Sequence, residues 1–185
     1  VRQHYPVLTT PSFIGNDNMA TAILTAQRLR EVLHYDPATG IFTRKVAAAS
    51  NAPQGSVAGT TNRDGRKYIH VDKKRYAAHR LAWLYATGTW PSNVIDHING
   101  DHSDNRLANL RDVTSSINNE NKRAARSDNL STGILGVSWC DYHKKYKAHI
   151  RIDGKLRHLK YCKTAEEARE VYLEAKRKFH IGCTI

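Results

Sequence analysis

The sequence predicts an α+β fold in two parts, and three observations carry that prediction. Residues 93–98 and 110–113 are short runs rich in β-branched side chains, and Thr114 or Ser115 then offers a hydroxyl to cap a helix running to about residue 125, with Glu120 in its early turns. In residues 146–153, Tyr146, Ala148, Ile150 and Ile152 alternate with polar neighbours, and Asp153-Gly154 is a common hairpin turn pair. From Thr164, with Glu167 completing a capping box, the apolar residues Ala165, Ala168, Val171, Tyr172, Ala175 and Phe179 recur at helical spacing and need a sheet to lie on. The expected architecture is a strand–strand–helix core preceded by a small β-rich region, followed by a three-stranded antiparallel sheet packed on one helix.

Taken in order, residues 1–24 are expected to be a flexible extension. Their first eighteen residues show no period, hold Pro6, Pro11 and Gly15, and precede the single methionine, Met19. From Thr25, the residues Leu29, Val32 and Leu33 share one helical face, and Asp36-Pro37 with Thr39-Gly40 ends that helix and turns the chain. Residues 41–45 form a strand. After an Ala/Gly/Ser-rich loop through Gly59, residues 67–72 and 75–78 are strands joined at Lys73-Lys74, and residues 80–87 are a helix ended by Gly88. Its Leu81, Trp83, Leu84 and Tyr85 are read as core. Arg63, Arg66, Lys67, Lys73, Lys74 and Arg75 either follow a polyanion or are solvated hairpin charges. Residues 25–125 thus make a first domain with its central motif at 94–123. Residues 126–135 make a polar linker, and residues 136–182 a second domain with strands at 136–141, 146–153 and 156–162.

Composition narrows the partners. Lys+Arg 29 against Asp+Glu 17 gives +12 over 185 residues, which favours a polyanion. Between His143 and Lys163 eight Lys/Arg face only Asp153, whereas the helix from Thr164 to Lys178 balances four Glu with four Lys/Arg, so the positive charge sits on the sheet. No apolar run approaches the roughly 18 residues that span a bilayer, and no signal peptide is visible, so a cytoplasmic, unsecreted protein is expected, off the membrane. Cys140, Cys162 and Cys183 form no CxxC pair, which fits a reducing compartment and leaves no four-cysteine zinc site.

The motif Val94–Arg123 holds the residues with chemistry. His97 is suited to take a proton near neutral pH. Asp96 and Asn118 offer the hard oxygens that Mg²⁺ or Mn²⁺ prefer, and two protein ligands leave most of the coordination shell to water and a phosphate. Asn109 has an amide able to bond backbone and fix the turn that carries His97. Period two would send Asp96 and His97 to opposite faces unless the strand bends, which Asn99-Gly100-Asp101 makes feasible. His102 is a further base or phosphate contact, or a solvated loop histidine. Arg106 or Arg111 either touches the scissile strand or is solvated.

These residues resemble the HNH endonucleases of the ββα-metal fold, in particular the phage and intron-encoded homing group. The likeness lies in Asp96-His97, Asn109 twelve residues after His97, Asn118 nine further on, Asp104-Asn105-Arg106, Asn109-Leu110 and Thr114-x-x-x-Asn118. It implies His97 as general base, Asn109 as the orienting asparagine, and Asp96 and Asn118 as ligands of one divalent cation, Mg²⁺ or Mn²⁺. The stretch from Leu29 to Tyr85, followed by Trp90-Pro91, resembles the N-terminal part of phage HNH proteins more loosely.

The second domain resembles the plant ethylene-response-factor (APETALA-type) DNA-binding domain, through Gly136-Val137-x-Trp139, Tyr146-Lys147-Ala148-x-Ile150-Arg151 and Thr164-Ala165-Glu166-Glu167-Ala168 with Tyr172 downstream. That likeness implies major-groove binding with Lys147, His149, Arg151 and Lys160 as contacts. Specificity is expected to be relaxed, since Ser138 and Cys140 stand where the plant proteins place arginines. Trp139 is read as packing beneath the helix, and no aromatic pair is expected on the open face to stack unpaired bases. The combined expectation is a metal-dependent endonuclease acting on double-stranded DNA, with no protein partner implied. Its rivals are a non-catalytic DNA-binding regulator and a dimeric restriction-type nuclease.

Overall fold

The computed structural model describes residues 23–125, 129 and 131–185. The expected extension, apart from Ile23 and Leu24, lies outside the described residues, as do residues 126–128 and 130 of the expected linker.

Helix α1, Ala26–Val32, begins where Thr25 Oγ1 accepts the Arg28 N–H. It is followed at once by strand β1, Leu33–Asp36, paired antiparallel with β2, Ile41–Arg44, with Tyr35 opposite Phe42. The turn after the helix is therefore a hairpin turn, and β1 corrects the sequence reading. Leu33 satisfies both the helical stripe from Leu29 and an alternation with Tyr35, and burial of Leu33, Tyr35 and Phe42 together favours the strand. Gly40 closes the hairpin at φ +74, and a Cβ there would lie 2.5 Å from the backbone of Asn105 and Arg106. Tyr35 donates its hydroxyl hydrogen to Asn105 O at 2.8 Å, so this hairpin braces the loop of the motif.

Strands β3 (Thr60–Thr61), β4 (Lys67–Val71) and β5 (Lys74–Ala77) form a sheet in the order β3-β4-β5. β3 is too short to leave a period. Asp72 and Lys73 make the β4–β5 turn, both at positive φ. Helix α2, Ala78–Thr87, starts earlier than its apolar pattern suggests because Ala78 itself is fully buried, and Gly88 ends it in the left-handed region. Leu81 and Leu84 join Leu29, Phe42 and Ile69 in the first core.

Strand β6, Val94–His97, pairs antiparallel with β7, Leu110–Val113, with Asp96 opposite Arg111 and His97 opposite Leu110. A 3-10 turn, Leu107–Asn109, leads into β7. Helix α3, Ser115–Glu120, is capped by the Thr114 hydroxyl and stops well short of residue 125. Asn121 is buried and spends its amide on β6, donating to the Asp96 carboxylate and to His97 O, which fixes the chain there before another helical turn can form.

The second core lies between a sheet and helix α4. Strands β8 (Val137–Cys140), β9 (Lys145–Ile152) and β10 (Lys155–Cys162) are ordered β10-β9-β8 and all antiparallel. Helix α4, Ala165–Phe179, is capped by the Thr164 hydroxyl, while the Glu167 carboxylate accepts the Lys163 N–H. It lays Ala168, Tyr172 and Ala175 over Val137, Ala148 and Ile150. No helix of the described residues is long and apolar enough to cross a membrane.

Nothing in the sequence announces the strap that ties the second core to the motif. Lys176, 1% exposed, donates to Lys122 O. Beyond α4, the Gly182 N–H reaches the Glu120 carboxylate at 2.9 Å, and Arg111 donates to Gly182 O at 2.8 Å. The Thr184 hydroxyl lies 2.6 Å from Ile98 O and 2.7 Å from Asn121 Oδ1. The approach is close enough that a Cβ at Gly182 would stand 2.2 Å from Ile117 O.

Candidate active site

Asp96 and His97 are both buried, at 6% and 4% exposure, yet both border one cleft with Asn118 and His102. His97 Nε2 lies 3.1 Å from Asn105 Oδ1, and the Asn105 amide nitrogen is directed to Ser103 O. The asparagine oxygen can only accept, so His97 carries its hydrogen on Nε2 and keeps Nδ1 as a free lone pair. Burial lowers the pKa of His97, which favours the neutral ring, with a lone pair that can take up a proton.

Asn109 does not touch that ring. Its Oδ1 accepts the Asn99 N–H at 2.9 Å and its Nδ2 donates to Asp104 O at 2.8 Å, so it clamps the two ends of the loop that follows β6. The asparagine against His97 is Asn105, which the sequence marked only as part of a string of matching residues.

Arg111, half-buried, is held by partners within the fold. Its Nε and Nη2 donate to Asp96 Oδ2 at 2.9 and 2.8 Å, and Asn121 Nδ2 adds a third bond at 3.0 Å. Strand pairing explains the contact, because the two residues face each other across β6 and β7. Arg106 likewise pairs with Asp104, whose carboxyl is held down at about 2 by that guanidinium.

A divalent ion fits this donor set. Among the described residues, Asp96 Oδ1 receives only one long bond, 3.3 Å from Asn121, and the Asn118 side-chain amide has no hydrogen-bond partner. Asp96 and Asn118 thus line the cleft beside His97 as two residues with hard oxygens, the donor type a divalent cation such as Mg²⁺ or Mn²⁺ accepts. Among the described residues no three His, Cys, Asp or Glu side chains converge as a closed zinc site would require.

Two more rings flank His97: His79 at 5.2 Å and His102 at 5.6 Å between centroids, each edge-on. Burial, with help from the nearby His97 and Arg66, lowers the pKa of His79 to about 4. A group depressed on folding contributes stability above its unfolded pKa near 6.5, and that stability is lost as pH falls toward 4. We expect His79 to account for roughly 3 kcal/mol of acid destabilisation across that window. Urea titrations at pH 7 and pH 4.5 should show a smaller loss in His79→Gln than in wild type; equal losses would contradict it.

Residues 76–120 match the HNH endonuclease family. The HNH segment runs from the end of β5 through α3 and includes Asp96, His97, Asn105, Asn109 and Asn118. Arg66, Asn121 and the strap lie outside it. No curated protein and no solved structure matches the chain.

Beyond the HNH segment, the sheet of the second core turns Lys147, His149 and Arg151 away from α4, since the alternate residues Ala148 and Ile150 are buried against the helix. Lys160 leaves that row. A bulge between His158 and Lys160 sends Leu159 into the core and sets Lys160 opposite Ala148, leaving His158 and Tyr161 as the cross-strand partners of His149 and Lys147. Tyr161 lies with its ring centroid 4.2 Å from His143 and 4.3 Å from His158, so the open face does carry an aromatic row, contrary to expectation. Trp139 also departs from its expected place beneath the helix. It packs edge-on against Tyr146, bonds Asp141 and stays 40% exposed.

Proposed function

We propose that the protein is a metal-dependent endonuclease of the homing type, which hydrolyses phosphodiester bonds of double-stranded DNA and is directed to its target by the basic sheet of residues 136–182. The observation that carries this reading is the convergence on one cleft of His97, whose Nε2 is engaged by Asn105 and whose Nδ1 is left as a lone pair, with Asp96 and Asn118, which offer oxygen donors.

A divalent ion held by Asp96 and Asn118 would supply Lewis-acid neutralisation of the charge that builds on the phosphate and the leaving oxygen. His97 Nδ1 takes a proton from water, the water oxygen bonds to phosphorus, and the bond to the 3′ oxygen breaks; the departing oxygen takes a proton from solvent water, leaving a 3′ hydroxyl and a 5′ phosphate. Asn105 accepts the opposite ring hydrogen and stabilises the imidazolium that forms. Asn109 keeps the loop carrying Asn105 closed, and Arg111 with Asn121 fixes the Asp96 carboxylate. On the sheet, Lys147, His149 and Arg151 face the duplex together; Lys160, set opposite Ala148 by the bulge, drops out of that row.

Supercoiled plasmid incubated with Mg²⁺, Mn²⁺ or EDTA tests the reading. Wild type should cut only with a divalent ion, and His97→Ala should cut roughly 10²–10⁴ times more slowly, as loss of a general base predicts, with DNA retention unchanged. Folded wild-type protein that retains DNA yet cuts neither plasmid nor genomic DNA with any divalent ion would make the non-catalytic regulator the better account.

A further inference from the structure

One residue lining the cleft, Arg66, comes from outside the HNH match. Arg66 stands on a turn closed by Asn62 N–H to Arg66 O at 2.8 Å and Gly65 N–H to Asn62 O at 3.1 Å. The ideal Cβ position of Gly65 lies 3.9 Å from Ser103 N, so the hairpin tip rests against the loop that carries His102. The Arg66 guanidinium is paired with Asp64, and its Nη2 lies 3.3 Å from His102 Nε2.

Arginine can only donate, so His102 Nε2 is the acceptor and its ring hydrogen is on Nδ1. Arg66 therefore sets the tautomer of His102, and both side chains present N–H groups. Together with Arg80 and His79 they line a cleft of about 230 Å³ that continues into the space beside Asp96, His97 and Asn118. The carboxylate in its wall, Asp96, is already bound by Arg111. Donors outnumber acceptors there, the composition that receives an anion with several oxygens.

We propose that Arg66, steadied by Asp64 on one side and by His102 on the other, clamps a non-bridging oxygen of the phosphodiester being cut, so that the β3–β4 hairpin completes the site from outside the HNH segment. The inference rests on the nuclease reading. It adds that the bond presented to His97 is positioned by a guanidinium as well as by the metal. A planar guanidinium favours this role because it can hold Asp64 along one edge and a phosphate oxygen along another.

The test compares wild type, Arg66→Gln and Arg66→Lys as full chains, each checked for an unchanged thermal midpoint. Two readouts are taken: cleavage rate at saturating DNA with Mg²⁺ or Mn²⁺, and the slope of log DNA affinity against log salt in EDTA. Arg66→Gln should lower kcat roughly 10- to 100-fold with little change in KM, and should reduce the salt slope by about one phosphate contact. Arg66→Lys should restore the slope but only part of kcat, because an ammonium does not reproduce the fork. If wild type cuts and Arg66→Gln cuts equally well, the clamp is wrong and the nuclease reading stands. If wild type cuts nothing, the nuclease reading falls and the salt slope alone decides the anion site, an unchanged slope overturning it.

Discussion

Asp96→Asn is expected to destabilise the protein by about 2–3 kcal/mol and to abolish metal-dependent cutting, and the two losses have separable causes. The carboxylate is 7% exposed and receives three donors on one oxygen: two from Arg111 and one from Asn121. An asparagine keeps the size but removes the charge, leaving a half-buried guanidinium without its counter-ion and setting amide hydrogens against other donors. The activity loss, to below about a thousandth of wild type, would come from the missing hard ligand and its charge. The double variant Asp96→Asn/Arg111→Met separates the two. Denaturation should show most of the lost stability regained, because no unpaired charge remains, while plasmid cutting stays absent. Recovery of cutting in the double variant would mean that Asp96 serves only to hold Arg111.

Gly136→Ala is expected to cost about 3–4 kcal/mol and to loosen the second core without disturbing the first. Its φ of +76 lies in the left-handed region, which costs an L side chain roughly 1–2 kcal/mol. A Cβ would also stand 2.1 Å from Tyr172 Cδ2 and 2.4 Å from Cε2, closer than atoms can pack, adding about 1–3 kcal/mol of overpacking. Tyr172 is 6% exposed and packs with Ile150 and Ala175, so the ring has little room to retreat. Tyr172→Leu in the Gly136→Ala background should return the steric part and leave the backbone part. A denaturation series of the single and double variants reads this directly, and a Gly136→Ala protein within about 0.5 kcal/mol of wild type would refute the packing described here.

How much of this was legible in the sequence follows from chain separation. Asp96 and His97 lie on the first strand, and Asn118 on the helix, of a strand–strand–helix unit whose elements succeed one another, so their spacing along the chain maps onto proximity in space, and the turn and cap residues between them are local signals. The same holds for the α4 stripe and the Asp153-Gly154 hairpin. What escaped was non-local. Arg66 meets His102 across 36 residues, and Thr184 meets Asn121 across 63. Neither pair leaves a period or a turn signal. Arg111 was ambiguous because an arginine on a strand edge looks the same whether its partner is water or the carboxylate opposite. β1 was lost for a different reason: Leu33 belongs to two periods at once, and only burial of Tyr35 against Phe42 chooses between them. The bulge at Leu159 moved Lys160 for a third, since one extra residue shifts a side chain out of its row without altering the strand's composition.

The strap formed by Lys176, Gly182 and Thr184 changes what the stretch between the two cores can do. Were the covalent chain the sole connection, nothing else would fix the distance between the sheet and the cleft. With Gly182 seated on Ile117 and Glu120, and Thr184 on Ile98, there is a second anchorage that bypasses that stretch. On the proposed reading the molecule therefore acts as a caliper. Its jaws are set by the fold, and the bond that meets His97 lies at one constant offset from whatever base pairs the sheet has gripped.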